Sequence, residues 1–290
     1  MRPLRPLALA AVLAACAPAP SARPPAAAAP AAPAPAVSVA SPDPSSGCAL
    51  DPAPRVLPMD DPRPGELHEV HDLDDAPALW APAPPGPARD AYRRGVAARA
   101  GSLAPRDLLA RQRAIYAAIE TPGAARDAHN GAAVLEGRAG AIGPASCLEA
   151  LLWERQAARY PMLEHPTEFG AFILRGGGRV RIYFSAADLV GQRIRSVVTD
   201  LIAEDVRGGY ALVAHLHNHP FLLGRVPGDR MWTTEATRDD VAGALAPSAT
   251  DVQFYRRLRE SIGLPAAWVT NGLDTARFSA ADFDILAAAE

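Results

Sequence analysis

The chain has 290 residues, 49% of them hydrophobic, and a formal charge of −3 at pH 7. This length allows a domain with its own core, and the mildly acidic balance, without a basic tail or arginine cluster, argues against nucleic acid as a partner. After the N-terminal residues, no uninterrupted apolar run reaches the roughly eighteen residues that indicate a membrane-spanning helix.

Residues 1–16 are predicted to be an export signal. Arg2 and Arg5 precede an apolar stretch, residues 7–15, that is too short to span a bilayer. The following cysteine completes the sequence LAAC at residues 13–16, which resembles the bacterial lipobox. That resemblance implies cleavage before Cys16, lipidation of its thiol, and a lipid-anchored protein of the cell envelope, on the outer-membrane or periplasmic side. An ordinary secretory signal is the alternative.

Residues 17–64 are predicted to be a linker rich in proline and alanine. In residues 17–36, eighteen of twenty are Ala or Pro, a composition with little to bury and many fixed φ angles. Such a tether would hold the folded part away from the membrane. If Cys16 carries lipid, Cys48 and Cys147 remain as a pair in an oxidising compartment, where a disulfide between them is plausible.

Residues 65–142 are predicted to form a helical N-terminal region without chemistry of its own. Residues 105–120 have apolar side chains at helical spacing, residues 88–100 give a weaker signal, and residues 131–143 are interpreted as a loop. His68 and His71 are separated by three positions, whereas the zincin helix motif requires four. We therefore interpret the sequence HEVH at 68–71 as a solvated polar patch.

Residues 143–290 are predicted to form an α/β domain with a mixed β-sheet and flanking helices. Ser146 and Glu149 form a capping-box pattern, and two strand-like runs flank three glycines, which is typical of a hairpin. Strands interleaved with helices favour this fold class. The predicted helices are 146–160, 189–206 and 251–261, and the predicted strands are 168–175, 179–185, 210–219, 266–270 and 275–278.

Three histidines close the apolar strand at residues 210–219. Alternate side chains of a strand share a face, so His215, His217 and His219 point the same way, and neutral imidazole is the commonest metal ligand among side chains. The outer two lie about 13 Å apart on an extended strand, so only a neighbouring pair can bind one ion. A third ligand must come from elsewhere, and Asp251 at a helix start is a candidate.

Three motifs together resemble the JAMM signature of the JAB/MPN metallopeptidases. They are Glu168 on a strand, the sequence HNHP at residues 217–220, and SATD at residues 248–251. The resemblance covers about residues 146–285 and keeps the family's order of elements. It implies that His217, His219 and Asp251 bind Zn²⁺. It also implies that Glu168 is the general base, that Ser248 donates to the oxyanion, and that water attacks an amide.

One feature departs from the family pattern, because the twenty-eight residues 220–247 separate the histidines from the serine motif. Either this segment is an insertion over the cleft, or another aspartate, Asp239 or Asp240, is the ligand. We prefer Asp251, because Pro247 precedes its motif and a strand follows its helix. Simpler interpretations also exist: Glu168 as a solvated strand-end carboxylate, and the serine and aspartate as a helix cap. His215 is extra to the motif and is expected to pack or to support the ligands.

The predicted function is zinc-dependent hydrolysis of a peptide or isopeptide bond by an exported lipoprotein. The expected partners are a peptide or protein substrate in the envelope, such as a cell-wall peptide, and the membrane through the lipid anchor. The alternatives are a binding scaffold of the same fold without catalysis, and a metal-binding envelope lipoprotein that uses the three histidines. A serine hydrolase is disfavoured because the chain has no Gly-x-Ser-x-Gly elbow.

Overall fold

The structure is a computed structural model that describes residues 48–50, 53–63, 65–188, 190, 194–221 and 243–288. The predicted export signal with Cys16, most of the predicted linker, and residues 222–242 lie outside the described residues. All described residues belong to one compact unit, Val39–Glu290.

Eight helices and eight strands make up the described part of the chain. The helices are α1 (Pro77–Trp80), α2 (Pro87–Ala100), α3 (Pro105–Ala117), α4 (Pro122–Leu135), α5 (Cys147–Ala157), α6 (Ser196–Arg207), α7 (Ala249–Ile262) and α8 (Ala280–Ala287). The strands are β1 (Arg55–Val56), β2 (Leu67–Asp74), β3 (Ala141–Pro144), β4 (Phe169–Gly176), β5 (Arg179–Ala186), β6 (Ala211–Asn218), β7 (Ala266–Thr270) and β8 (Asp274–Ser279).

Local sequence accounts for many of these boundaries. Helices α1 to α4 each have a proline in the first turn, where its fixed φ suits a helix and no hydrogen bond is lost. Helices α5, α7 and α8 begin with a serine whose capping box is completed by an acidic residue three positions later. The turn between β4 and β5 has Gly177 and Gly178 at φ 58° and 75°, as the predicted hairpin requires.

The eight strands form one mixed sheet in the order β1-β2-β5-β4-β6-β7-β8-β3. Only β6 and β7 are parallel neighbours, and all other described pairs are antiparallel. Parallel neighbours need a crossover connection, and α7 belongs to this one. The prediction of a mixed α/β fold with flanking helices is confirmed.

The sheet has a hydrophobic core on each face. Alternate residues of β4 enter the two cores: Phe172 and Leu174 pack with α4, α6, α7 and α8, whereas Ala171 and Ile173 pack with α1, α2 and α5. The aromatic and aliphatic side chains of Phe169, Phe172, Ile173 and Trp153 are buried. Trp268 is only partly buried and lines a surface cavity of about 340 Å³ with Trp80 and Arg277.

The segment 65–142 differs most from its prediction. The sequence HEVH lies in β2, which pairs along its whole length with β5, and His68, Glu69 and His71 are all buried. The interpretation as a solvated patch is therefore wrong. The cause is a distant partner: Arg155 donates two hydrogen bonds to the Glu69 carboxylate, at 3.0 and 2.6 Å, and so compensates the buried charge.

Smaller corrections concern element boundaries. The predicted loop 131–143 is largely ordered structure, since α4 continues to Leu135 and β3 pairs with β8. Helix α6 begins at Ser196, later than predicted, and α8 has no counterpart in the prediction. The structure contains a disulfide between Cys48 and Cys147, which joins the predicted linker to the first residue of α5.

Candidate metal centre

The candidate site lies at the carboxyl end of β6. Its histidines project from the sheet face that α7 covers, because Tyr255 of α7 contacts both His215 and His217. His215 is fully buried between Phe172 and Phe254. Burial, followed by the nearby charge of His217, lowers the pKa of His215 to about 3. His215 therefore stays neutral and packs behind the site, as its place outside the motif predicts.

Helix α7 brings the third ligand candidate to the same place. The helix of a crossover connection begins near the carboxyl end of the strand that it follows, so the first turn of α7 faces the end of β6. Helix α4 holds this first turn in position. The amide of Asn130 donates to the carbonyl of Pro247 at 3.0 Å, and the carboxylate of Asp127 accepts from the N–H of Ala249 at 2.7 Å.

The three potential ligand atoms form a small triangle. The Nε2 atoms of His217 and His219 are 3.1 Å apart, and Oδ2 of Asp251 lies 3.5 and 3.4 Å from them. In a tetrahedral zinc site with bonds of 2.0–2.1 Å, neighbouring ligand atoms are about 3.3 Å apart. The described residues therefore fit a metal ion in this triangle with little adjustment.

The other ring nitrogens have partners that orient the imidazoles. Nδ1 of His219 lies 3.0 Å from the carbonyl oxygen of Ala244, which only accepts, so this nitrogen carries the proton and Nε2 faces the triangle. Nδ1 of His217 lies 3.0 Å from the hydroxyl of Tyr255, which can accept in the same way. Hydrogen bonds of this kind fix the tautomer and ring orientation of metal-binding histidines.

The electrostatics of the triangle couple its members strongly. Burial alone would lower the pKa of His219, but the hydrogen bond and charge of Asp251, with a contribution from Glu168, raise it to about 9. Burial would raise the pKa of Asp251, yet the charges and hydrogen bonds of both histidines hold it well below its usual range. The side chain of Asp251 remains 25% exposed, so solvent reaches this side of the triangle.

Glu168 lies directly before β4, close to the end of β6. Gly170, two residues later, pairs with His217 across the two strands. The negative charge of Glu168 makes a smaller contribution to the raised pKa values of His219 and Tyr255, after that of Asp251. The structure thus brings together Glu168, both histidines and Asp251 from three separate parts of the sequence.

Ser248 caps α7 and also holds the aspartate. Its N–H and its hydroxyl donate to Oδ2 of Asp251 at 2.8 and 2.7 Å, and its oxygen accepts from the Asp251 N–H at 3.2 Å. The capping interpretation of these two residues is therefore confirmed, and it coexists with the ligand triangle. The role of Ser248 as a donor to an oxyanion stays a prediction.

Sequence reasoning missed three residues of the site: Asp127, Ala244 and Tyr255. Tyr255 follows Asp251 by four positions, so helical periodicity could have placed it on the same face. Asp127 comes from the segment to which no chemistry was assigned. Burial raises its pKa, the Ala249 N–H lowers it, and the charge of Asp251 raises it further. Neither Asp127 nor the Ala244 carbonyl has a signal in the local sequence.

A hydrogen-bonded histidine outside the candidate site, His68, lies on β2. Nδ1 of His68 lies 2.9 Å from the hydroxyl of Ser185, and its Nε2 lies 3.0 Å from the carboxylate of Glu66. This order resembles a serine–histidine–acid array, but His68 and Ser185 are buried. Glu66 is also paired with Arg195 through two hydrogen bonds of 2.6 Å. The array therefore joins parts of the fold without offering an accessible nucleophile.

The competing aspartates Asp239 and Asp240 lie outside the described residues. Among the residues that are described, no helix is both long and apolar enough to cross a membrane. Comparison with known proteins finds no matching family model, no matching curated protein and no matching solved structure.

Proposed function

We propose that this chain is a zinc-dependent hydrolase that cleaves a peptide or isopeptide bond. The observation that carries the proposal is the triangle of Nε2, Nε2 and Oδ2 atoms from His217, His219 and Asp251, with edges of 3.1–3.5 Å. Two histidines and one carboxylate are a known ligand set for catalytic zinc, which keeps one coordination position for water. The resemblance of the motifs to the JAMM signature supports the same proposal.

Other divalent ions also bind two histidines and a carboxylate, and ferrous iron is the main competitor. On one face of an octahedron with bonds near 2.1 Å, neighbouring ligand atoms would be about 3.0 Å apart. The observed edges of 3.1, 3.4 and 3.5 Å fit either ion, because the shortest is near the octahedral value and the other two are near the tetrahedral value of about 3.3 Å. The choice of zinc therefore rests on the resemblance to the JAMM signature.

Zinc bound by this set would supply a Lewis acid and a water of lowered pKa. The chain's own residues supply the remaining functions. Glu168 would take the proton from the attacking water and pass it to the leaving nitrogen. Ala244 and Tyr255 would keep both imidazoles oriented. The N–H of Ser248 would hold Asp251, while its hydroxyl would turn away from Asp251 to donate to the developing oxyanion.

We further propose an envelope location and an envelope substrate. The motif at Cys16 supports lipid anchoring, and the disulfide of Cys48 with Cys147 suits an oxidising compartment. A cell-wall peptide or an exposed envelope protein is therefore the favoured substrate class. The alternative of a metal-binding lipoprotein that presents three histidines on an open surface is disfavoured, because His215 is fully buried.

The test measures metal and hydrolysis in the same samples. The full mature chain would be stripped with chelator, reloaded with zinc or ferrous iron, and analysed for bound metal. Cleavage of a peptide library and of cell-wall peptides would then be followed by mass spectrometry. We expect one zinc per chain, and we expect Glu168→Gln to keep zinc but lose hydrolysis. Zinc binding without any cleavage would favour a scaffold, and no zinc at equimolar supply would refute the proposal.

A further inference from the structure

Asn218 lies between the two histidines of the proposed centre and is fully buried. Its side-chain oxygen accepts from the backbone N–H of Phe169 at 2.7 Å, and its side-chain nitrogen donates to the carbonyl of Thr167 at 3.0 Å. These two peptide groups belong to the residues on either side of Glu168. One amide side chain thus holds the backbone on both sides of that residue.

The two hydrogen bonds of Asn218 lie where the main-chain pairing of β4 with β6 ends. Main-chain pairing of β4 with β6 ends at Gly170 and His217, so Phe169 and Asn218 would form the next pair. Beyond this point, the side chain of Asn218 supplies the hydrogen bonds that connect the two segments. On the other side of the chain, the carbonyl of Glu168 accepts from the N–H of Ala187 at 3.5 Å. The backbone of Glu168 is therefore held between β5 and β6.

We propose that Asn218 is a positioning residue that fixes Glu168 relative to the imidazoles of His217 and His219. This inference rests on the proposed function, in which Glu168 is the general base. Both bonds of Asn218 are buried, so Glu168 cannot move away from β6 without leaving a buried polar group unpaired. The amide supplies what both partners need, an oxygen that accepts from the N–H of Phe169 and an NH₂ group that donates to the carbonyl of Thr167.

The first test examines the bonds themselves by hydrogen exchange in the full chain. Asn218→Ala should speed exchange of the Phe169 amide by about fivefold or more, the effect of losing one buried hydrogen bond. Thr275→Val is the matched control. Thr275 lies on β8, two strands from β6, and the change removes the buried hydrogen bond that its hydroxyl donates to Glu149 of α5. The control should leave Phe169 exchange unchanged. Unchanged exchange in Asn218→Ala would overturn the inference.

The second test asks whether Asn218 acts through Glu168. In the zinc-loaded chain, Asn218→Ala should lower kcat about 10–100-fold with little change in KM, because a misplacement of about 1 Å has effects of that size. In the Glu168→Gln background, the residual zinc-dependent hydrolysis measured at high protein concentration should not fall further. Equal losses in both backgrounds would show an independent structural role and would refute the inference. If Asn218→Ala does not fold, Asn218→Ser replaces it.

A cobalt-loaded chain allows the same double-mutant cycle, Asn218→Ala with and without Glu168→Gln, to be measured without catalysis. The visible absorption of bound Co²⁺ depends on its ligands and on the groups that contact them. Glu168→Gln and Asn218→Ala should each alter this spectrum. In a chain that already has Glu168→Gln, adding Asn218→Ala should not alter it further. If the wild type binds metal but does not hydrolyse, the proposed function fails, and the cobalt cycle still decides the role of Asn218. A wild-type spectrum for Asn218→Ala would refute that role.

Discussion

Two helices of this chain begin with almost the same capping box, and they provide a controlled test of the metal centre. At α7, the N–H and hydroxyl of Ser248 donate to Asp251 at 2.8 and 2.7 Å; at α8, those of Ser279 donate to Asp282 at 2.7 and 2.8 Å. Removing either carboxylate should therefore cost a similar capping energy, about 1 kcal/mol. Only Asp251 also lies beside two imidazoles.

The expected difference appears when zinc is added. At a zinc concentration 100 times the Kd, binding to the folded state alone adds about 2.7 kcal/mol to the free energy of unfolding. For a domain of this size each kcal/mol corresponds to about 2–4 °C, so Tm should rise by about 5–11 °C. The wild type and Asp282→Ala should both show this rise, whereas Asp251→Ala should show little or none at the same zinc concentration.

The assay is thermal unfolding of chelator-treated protein with and without zinc, together with the measured metal content. Comparing the zinc-induced shift within each variant removes the difference in metal-free stability, including the lost ion pair with His219. If Asp251→Ala keeps the wild-type shift, Asp251 is not a ligand. If Asp282→Ala loses the shift, the effect comes from helix capping and the reasoning fails.

Three further predictions follow from other contacts. Tyr255→Phe removes the hydroxyl that orients His217 and should weaken zinc affinity about 10–100-fold, as measured by chelator competition. Phe254→Leu is the control, and a Tyr255→Phe variant that binds zinc as tightly as this control would contradict the orienting role. Arg195 lowers the pKa of Glu66 to about 2, so this pair contributes stability above pH 4.5 that is lost as pH falls towards 2. Glu66→Gln should reduce the pH dependence of urea unfolding between pH 5 and 2, whereas an unchanged slope would argue against the pair. Cys48→Ser opens a loop with a sequence separation of 99 residues and should lower the free energy of unfolding by about 2–5 kcal/mol, whereas no loss in urea unfolding would show that the disulfide does not stabilise the fold.

The sequence predicted those parts of the molecule whose signals are local. Strand β7 was predicted with its observed bounds, and the capping boxes of α5 and α7 were visible as serine followed by an acid three positions later. The alternation of a strand also placed His215, His217 and His219 on one face. These signals depend on neighbours a few residues apart, which the sequence displays directly.

The parts that could not be predicted depend on distant partners. Strand β2 can bury Glu69 because Arg155, from the distant helix α5, donates to its carboxylate. Without knowledge of that partner, the charged sequence looked solvent-exposed. Asp127 reaches the candidate site because α4 packs beside the start of α7, and nothing in its own surroundings indicates that contact. A carbonyl such as that of Ala244 leaves no trace in a sequence, since every residue has one.

The disulfide between Cys48 and Cys147 determines where a pulling force on the N-terminal side would enter the fold. Without the disulfide, tension would reach the two-residue edge strand β1 first and would break its few hydrogen bonds to β2 one after another. With it, the load passes through a covalent bond into α5 beneath the sheet and bypasses everything between residues 49 and 146. A chain pulled from its N-terminal side would thus be mechanically protected at strand β1.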